Sequence, residues 1–254
     1  MGKIIAVLNF KGGVGKTTTA VNLADALHRQ KKKVLLVDID SQRNATIILD
    51  HDKDVDATVY TALTDVAMHK PDAGLDIYEH SPNFDFVAGD IRLKDIGVVL
   101  AGTMAKEMIL RRLLEMPAKA YDYIIIDCPP NAGVMTVNAM VAADSLLIPV
   151  DSQPMALDGL ADITTIYNEV RSTFNPSLTI LGYLITRYRQ QYSSSKAVLR
   201  FLQDRQAKLL LNTRIRENTT LGQAPGQRQT IFEYSPDCTG AADYQQLAKE
   251  IIKK

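Results

Sequence analysis

Cysteine is scarce in this chain: Cys128 and Cys238 stand far apart, and no Cys-x-x-Cys pair occurs. Two such dispersed thiols suggest neither a structural zinc nor an iron–sulfur cluster. Long apolar runs are missing as well, and no stretch approaches the roughly 20 apolar residues that cross a bilayer. The opening MGKIIAVLNF is one short apolar stretch that runs straight into a glycine-rich loop, too little for the core and cleavage site of a signal peptide. A cytoplasmic protein is therefore expected. Nor is there an excess of one charge, with 29 basic against 29 acidic residues. The balance conceals local asymmetry. Between Asp38 and Asp95, 13 acids face 5 bases, whereas between Tyr183 and Arg228, 9 bases face 2 acids. Two surfaces with different partners would produce this pattern, and so would ordinary solvated faces. Repeats, low-complexity tracts and obvious linkers are also lacking. With 254 residues, 46% of them hydrophobic, the chain is expected to form one large α/β domain over residues 1–254.

What is present is an alternation of apolar runs with helix-period stretches. Lys3–Phe10, Val34–Asp40 (VLLVDID), Ile124–Asp127, Leu146–Val150 and Leu178–Thr186 read as strands. Thr17–Arg29, with Ala20, Leu23, Ala24 and Leu27 on one face, reads as a helix, as do Val134–Ala143, Leu157–Phe174 and Ala241–Ile252. Near-continuous apolar strands separated by helices predict a doubly wound, mostly parallel sheet covered on both faces. Residues 50–95, rich in Asp and broken by Pro71 and Pro82, are expected to hold loops and short helices.

The stretch FKGGVGKTTT, Phe10–Thr19, sits between the first strand and the first helix. Gly12, Gly13 and Gly15 supply unusual dihedrals and let backbone N–H groups close around phosphate. In such a loop Val14 completes the turn, Lys16 reaches the β- and γ-phosphates, the Thr17 hydroxyl ligates Mg²⁺, and Thr18 reaches the α-phosphate. Two carboxylates strengthen this reading. Asp127 ends YDYIIID, in the position of a carboxylate that holds a water on Mg²⁺, and Asp40 ends the second strand. Ligands of such sheets bind outside the carboxyl ends of the strands, so the loop, Asp40 and Asp127 should converge there. Asp40 is placed to orient an attacking water, while Asp38 is expected to cap the following loop.

The loop departs from the usual G-x-x-x-x-G-K-[ST] pattern. It begins with Phe10 where glycine is usual, and it carries a second lysine, Lys11. With KGGVGKTT (Lys11–Thr18), LLVDIDSQRNAT (Leu35–Thr46), YDYIIIDCPPNAG (Tyr121–Gly133), ADSLLIPV (Ala143–Val150) and ALDGL (Ala156–Leu160), the chain resembles the ParA/Soj branch of the ParA/MinD ATPases, the deviant Walker A family. The likeness runs on to GAADYQQLAKEI near the end of the chain and so covers nearly all of it. The resemblance implies a P-loop NTPase fold, an ATPase using ATP and Mg²⁺, and a catalytic set of Lys11, Lys16 and Asp40. It makes Lys11 a lysine that crosses a dimer interface to the partner's nucleotide. Asn218, in TRIREN, falls where the family contacts adenine, and Arg216 beside it joins the same cofactor-binding set.

The partners implied are a second copy of the chain, DNA bound without sequence preference, and a ParB-like protein that stimulates hydrolysis, with the ATP form on the nucleoid. Departures bear on the DNA contact. Ser41 and Arg43 replace the Pro and Gly of the family's DPQGN, and the proline of its IPRN is missing from Ile215–Asn218. Two arginines with which relatives bind DNA align with Gln191 and Thr220. Arg187, Arg189, Arg200, Arg214, Arg216 and Arg228 are the candidate replacements, because phosphate contacts need charge in about the right place. Competing functions are positioning of another cargo on the nucleoid, membrane-surface action of the MinD kind, and a redox ATPase. The last needs cluster-ligating cysteines. The MinD kind needs a basic amphipathic C-terminal helix with an insertion face, and YQQLAKEIIKK offers no large aromatic one.

Overall fold

The protein is described here from a computed structural model covering residues 1–49, 57–153, 157 and 159–254. Among these residues eight strands form one sheet: β1 (Lys3–Val7), β2 (Val34–Asp38), β3 (Tyr78–Ser81), β4 (Phe84–Val87), β5 (Tyr123–Asp127), β6 (Ser145–Asp151), β7 (Thr179–Tyr188) and β8 (Leu210–Arg216). Their order is β3-β4-β2-β5-β1-β6-β7-β8, and every pair is parallel except β3 with β4. The chain places β2 and β4 to one side of β1, returns with β5 between β2 and β1, and then builds β6 to β8 on the other side. The carboxyl ends of β1, β2, β5, β6, β7 and β8 therefore share one edge.

Two cores explain the apolar strands. Side chains alternate across a sheet, so Ile4, Ala6, Leu35, Val37, Ile124 and Ile126 enter one core. Ile5, Val7, Val34, Leu36, Tyr123 and Ile125 enter the other. The helices Val134–Ala142 and Leu160–Thr173 cover the first face through Met135, Ala139, Ile163 and Val170. Helix α1 (Lys16–Arg29) and the helix Thr239–Ile252 cover the second, burying Leu23, Leu27, Tyr244, Leu247 and Ile251.

Several boundaries move from the sequence expectation. β1 stops at Val7 and β2 at Asp38, because the next residues turn to build the site. The first helix gains Lys16, and β7 runs on to Tyr188. Residues 57–95 hold the expected short helices, Val59–Ala67 and Ile91–Asp95, and also the β3–β4 hairpin, which was not expected. Its polar β3 sequence, Tyr-Glu-His-Ser, is half-buried at the sheet's edge and carries no apolar signal. β8 and the helix Ser193–Gln206 also went unread. Only Ser195, Val198 and Leu202 of that helix are buried, while Ala197 and Phe201 are exposed, so its apolar residues mark no clear face. Residues 50–56 of the expected irregular region lie outside the described residues. So do Ala156 and Asp158 of the ALDGL motif, and the helix expected from Leu157 is observed over Leu160–Thr173.

Candidate functional site

The chain leaves β1 and at once fixes a loop. Asn9, fully buried, donates from Nδ2 to the Pro149 carbonyl at 2.8 Å, and its Oδ1 accepts the Lys11 N–H at 2.9 Å. Gly13 and Gly15 take φ of 75° and 85°, the left-handed region that favours glycine. The Thr186 hydroxyl, at the end of β7, donates to the Val14 carbonyl at 2.9 Å and ties the loop to a second strand. Gly12 and Gly13 are exposed, and Lys11 is half-buried at the outer edge. Lys16 opens α1 with its side chain inward, and only 7% of the residue remains exposed. Its ammonium donates to the Lys11 carbonyl at 3.0 Å. Burial pushes the Lys16 pKa below its ordinary value, while Asp127, Cys128 and Asp40 pull it upward. Lys16 is thus a desolvated cation facing the two carboxylates that the sequence singled out.

Asp127, at the end of β5, is wholly buried, and both its oxygens lack a hydrogen-bond partner among the described residues. Burial, then Asp38 and Asp40, push its pKa well above the usual carboxylate range. The Thr17 hydroxyl and Lys16 pull the other way, without closing a hydrogen bond of normal geometry. A buried carboxylate with no partner is costly, and it marks a place for a cation. Asp38 takes the structural role expected of it. Its carboxylate accepts the N–H of Asp40 at 3.1 Å, the N–H of Thr46 at 2.9 Å and the Thr46 hydroxyl at 2.7 Å. Burial dominates there too and raises its pKa to about 6. Asp40 sits just beyond β2, 7% exposed, and accepts the Gln42 N–H at 3.0 Å. The positive-φ glycines, the buried ammonium and the unpartnered carboxylate fit a magnesium–nucleotide phosphate. Lys16 would hold the outer phosphates, Thr17 the metal and Asp127 a water on the metal.

A cleft of about 770 Å³ begins at Gly15 and Thr18, passes Thr186 and Arg187, and ends at Asn218 and Thr219. That volume suits a small ligand. Asn218, expected at adenine, and Arg216, expected in the cofactor-binding set, line it, but their side chains are engaged. Asn218 Oδ1 accepts the Thr220 N–H at 2.8 Å as a helix cap, and its Nδ2 donates to the Thr239 hydroxyl at 2.8 Å. Arg216 closes its guanidinium on Asp243, with Nη2 to Oδ1 at 2.6 Å and Nε to Oδ2 at 3.0 Å. These side chains shape the pocket's end rather than reach freely into it.

The six arginines proposed for DNA do not form one free patch. Arg187 pairs with Asp151 at 3.2 Å, Arg189 with Glu217, and Arg216 with Asp243. Arg189 also lies over the Tyr192 ring, and Arg214 over the Tyr188 ring at 5.1 Å. Arg187, Arg189 and Arg216 line the cleft instead. Arg200 is exposed on the helix Ser193–Gln206 beside Lys196, and Arg228 is exposed on its loop. Of the two aligned family positions, Gln191 lines the cleft, and Thr220 gives its N–H and hydroxyl to Asn218. Sequence reasoning missed Asn9, Thr186, Asp151 and Asp243. Asp151 carried the same signal as Asp127, an acid closing an apolar strand. Asp243 carried none, because its partner is distant in sequence.

The chain is similar to known proteins along its whole length. The family model described as an AAA domain matches residues 2–180. The sporulation initiation inhibitor protein Soj of Bacillus subtilis is 41% identical over 254 residues, which are 99% of this chain and 98% of that protein. The chromosome partitioning protein ParA of Caulobacter vibrioides is 33% identical, covering 99% and 94%. Among solved structures, the cobyrinic acid a,c-diamide synthase of Mycobacterium smegmatis with bound ATP analog and magnesium superposes with a TM-score of 0.83 at 29% identity, over 100% of this chain and 95% of that one.

Proposed function

The chain belongs to the ParA/Soj ATPases, and on that premise we propose that it is a Mg²⁺-dependent partition ATPase whose ATP-bound dimer holds DNA. The observation that carries this reading is one constellation: the desolvated Lys16 ammonium opposite the unpartnered Asp127 carboxylate, at the mouth of a loop built on positive-φ glycines. Lys16 and the loop's N–H groups bind the phosphates, Thr17 and Asp127 hold Mg²⁺, and Asp40 orients the attacking water. Bound Mg²⁺ neutralises charge developing on the transferred phosphate. Lys11, with its backbone held at both N–H and carbonyl, projects its charge from the loop's outer edge toward a partner subunit's nucleotide. A second lysine in one site would meet Lys16; two nucleotides between two subunits supply anions for both.

DNA binding belongs to the dimer, because two weak basic faces joined in one body gain effective concentration. It reads phosphates, so it is indifferent to sequence and falls with salt. A ParB-like partner accelerates the slow hydrolysis and releases the dimer. Fluorescence anisotropy with duplexes of unrelated sequence, with and without ATP, tests this: binding that needs ATP and is equal across sequences is expected. An ATP-bound dimer that ignored DNA at low salt would overturn the partition reading in favour of positioning on another surface.

A further inference from the structure

Arg187 stands apart from the other arginines of the basic segment. It follows Thr186, whose methyl lies 3.8 Å from where a Cβ at Gly15 would stand, and so begins at the wall of the phosphate loop. Its own φ is 50°, a left-handed conformation that is unfavourable for a non-glycine residue. Ser152 holds that conformation: its N–H donates to the Thr186 carbonyl at 3.1 Å, and its hydroxyl donates to the Arg187 carbonyl at 2.8 Å. Ser195 in turn donates to the Ser152 hydroxyl at 3.1 Å. The side chain, 56% exposed, gives one N–H to Asp151 Oδ2 at 3.2 Å. The other oxygen of Asp151 is buried without a partner among the described residues. Held by this strained backbone and the buried carboxylate, Arg187 lines the cleft in company with Gly15, Thr18 and Asn218.

The geometry points to Arg187 as a nucleotide contact, a cation supplied within the subunit to the phosphate nearest the ribose, with Asp151 as its positioning residue. The inference rests on the nucleotide reading above. With the outer phosphates in the loop and the base toward Asn218, the wall between them faces the inner phosphate. A planar guanidinium has five N–H donors in a fixed fork, so it can keep Asp151 and still donate to an anion. It prefers a charged phosphate oxygen to a neutral sugar hydroxyl. Arg187 thereby leaves the set of DNA candidates and joins the nucleotide site.

Titration calorimetry with ATP and with ADP tests the assignment on the full chain and on Arg187→Ala, Arg187→Lys and Asp151→Asn. Because both nucleotides carry the inner phosphate, Arg187→Ala is expected to weaken ATP and ADP alike, by roughly tenfold. The lysine variant should recover part of the loss. Asp151→Asn, which keeps the cation but releases its pin, should lose less, on the order of threefold. At saturating ATP, DNA affinity of Arg187→Ala should equal that of the parent. Unchanged ATP and ADP affinities would overturn the proposal, as would a loss confined to ATP, which would move the contact to the outer phosphate. Normal ATP affinity with lost DNA binding would return Arg187 to the DNA face. If the alanine variant does not fold, the lysine variant, checked by its melting curve, decides on the same equality of ATP and ADP losses. A parent protein that bound neither nucleotide would instead sink the nucleotide reading itself.

Discussion

The ammonium of Lys16 donates a hydrogen bond of 3.0 Å to the backbone carbonyl of Lys11. One lysine of the loop thus holds the main chain of the other. Asn9 accepts the Lys11 N–H on the other side of the residue, so the Lys11 backbone is fixed at both polar groups. Lys16 is turned inward and Lys11 is left at the rim, which separates two like charges that lie five residues apart in sequence.

The two charged groups of the reaction should separate in mutants. Lys16→Ala should lower ATP affinity by about a hundredfold or more, since it removes the main cation of the loop and leaves Asp127 uncompensated. Asp40→Ala should bind ATP within about threefold of the parent while turnover falls on the order of a hundredfold, because orienting water matters in the transition state. Calorimetry and phosphate release measure the two effects. Equal loss of binding in both variants would refute the role given to Asp40.

Lys11→Ala should bind nucleotide and fail to dimerise. On the Asp40→Ala background, where ATP persists, sedimentation velocity should show the parent as dimer and the double variant mostly as monomer. A double variant that dimerises as fully as the Asp40→Ala parent would remove Lys11 from the interface.

Affinity for Mg²⁺–ATP should rise with pH. Burial and the neighbouring Asp38 and Asp40 raise the Asp127 pKa, so at low pH the carboxyl carries a proton that it must release to hold a metal-bound water. Stability without ligand runs the opposite way with pH. A carboxyl with a raised folded-state pKa contributes stability below its unfolded value and loses it as pH rises through the folded value; for Asp38 that window runs from about 3.8 to about 6. Nucleotide titrations across the pH range in which the protein stays folded should show the rise in the parent and a flatter profile in Asp127→Asn. A flat profile in the parent would contradict an Asp127 that releases a proton on binding.

Arginines already paired should differ from those left exposed. Arg200→Glu should weaken DNA binding roughly tenfold, and Arg200→Ala should reduce the salt slope by about one per subunit. Arg216→Ala should leave DNA binding nearly unchanged but lower stability by about 1 kcal/mol, or ~2–4 °C in melting temperature, because Asp243 loses the guanidinium and keeps only the backbone N–H of residue 216. The guanidinium is half exposed, which keeps that cost at the low end. Anisotropy and thermal melting read the two effects independently. DNA binding that falls with Arg216→Ala and not with Arg200→Glu would move the interface to the cleft.

The sequence by itself determined the doubly wound sheet and the centre of the site. Strands such as β2 and β5 are buried on both faces and so run apolar up to the aspartate that closes each, a signal that needs no partner to be read. The phosphate loop was equally legible, because its glycines, Lys16 and Thr17 act through contiguous backbone and local geometry. Asp40 and Asp127 could be placed because strand ends converge on one edge of a parallel sheet. The fate of the basic segment was decided by tertiary structure. A run of arginines states only that charge is present. Whether each charge is free depends on acids brought from elsewhere: Asp151 from β6 beside Arg187, Glu217 beside Arg189, and Asp243 from the last helix beside Arg216. Such pairing is a property of distances between segments far apart in the chain. No local pattern encodes those distances, and so three residues that looked like a DNA face line a cleft instead, each paired with an acid.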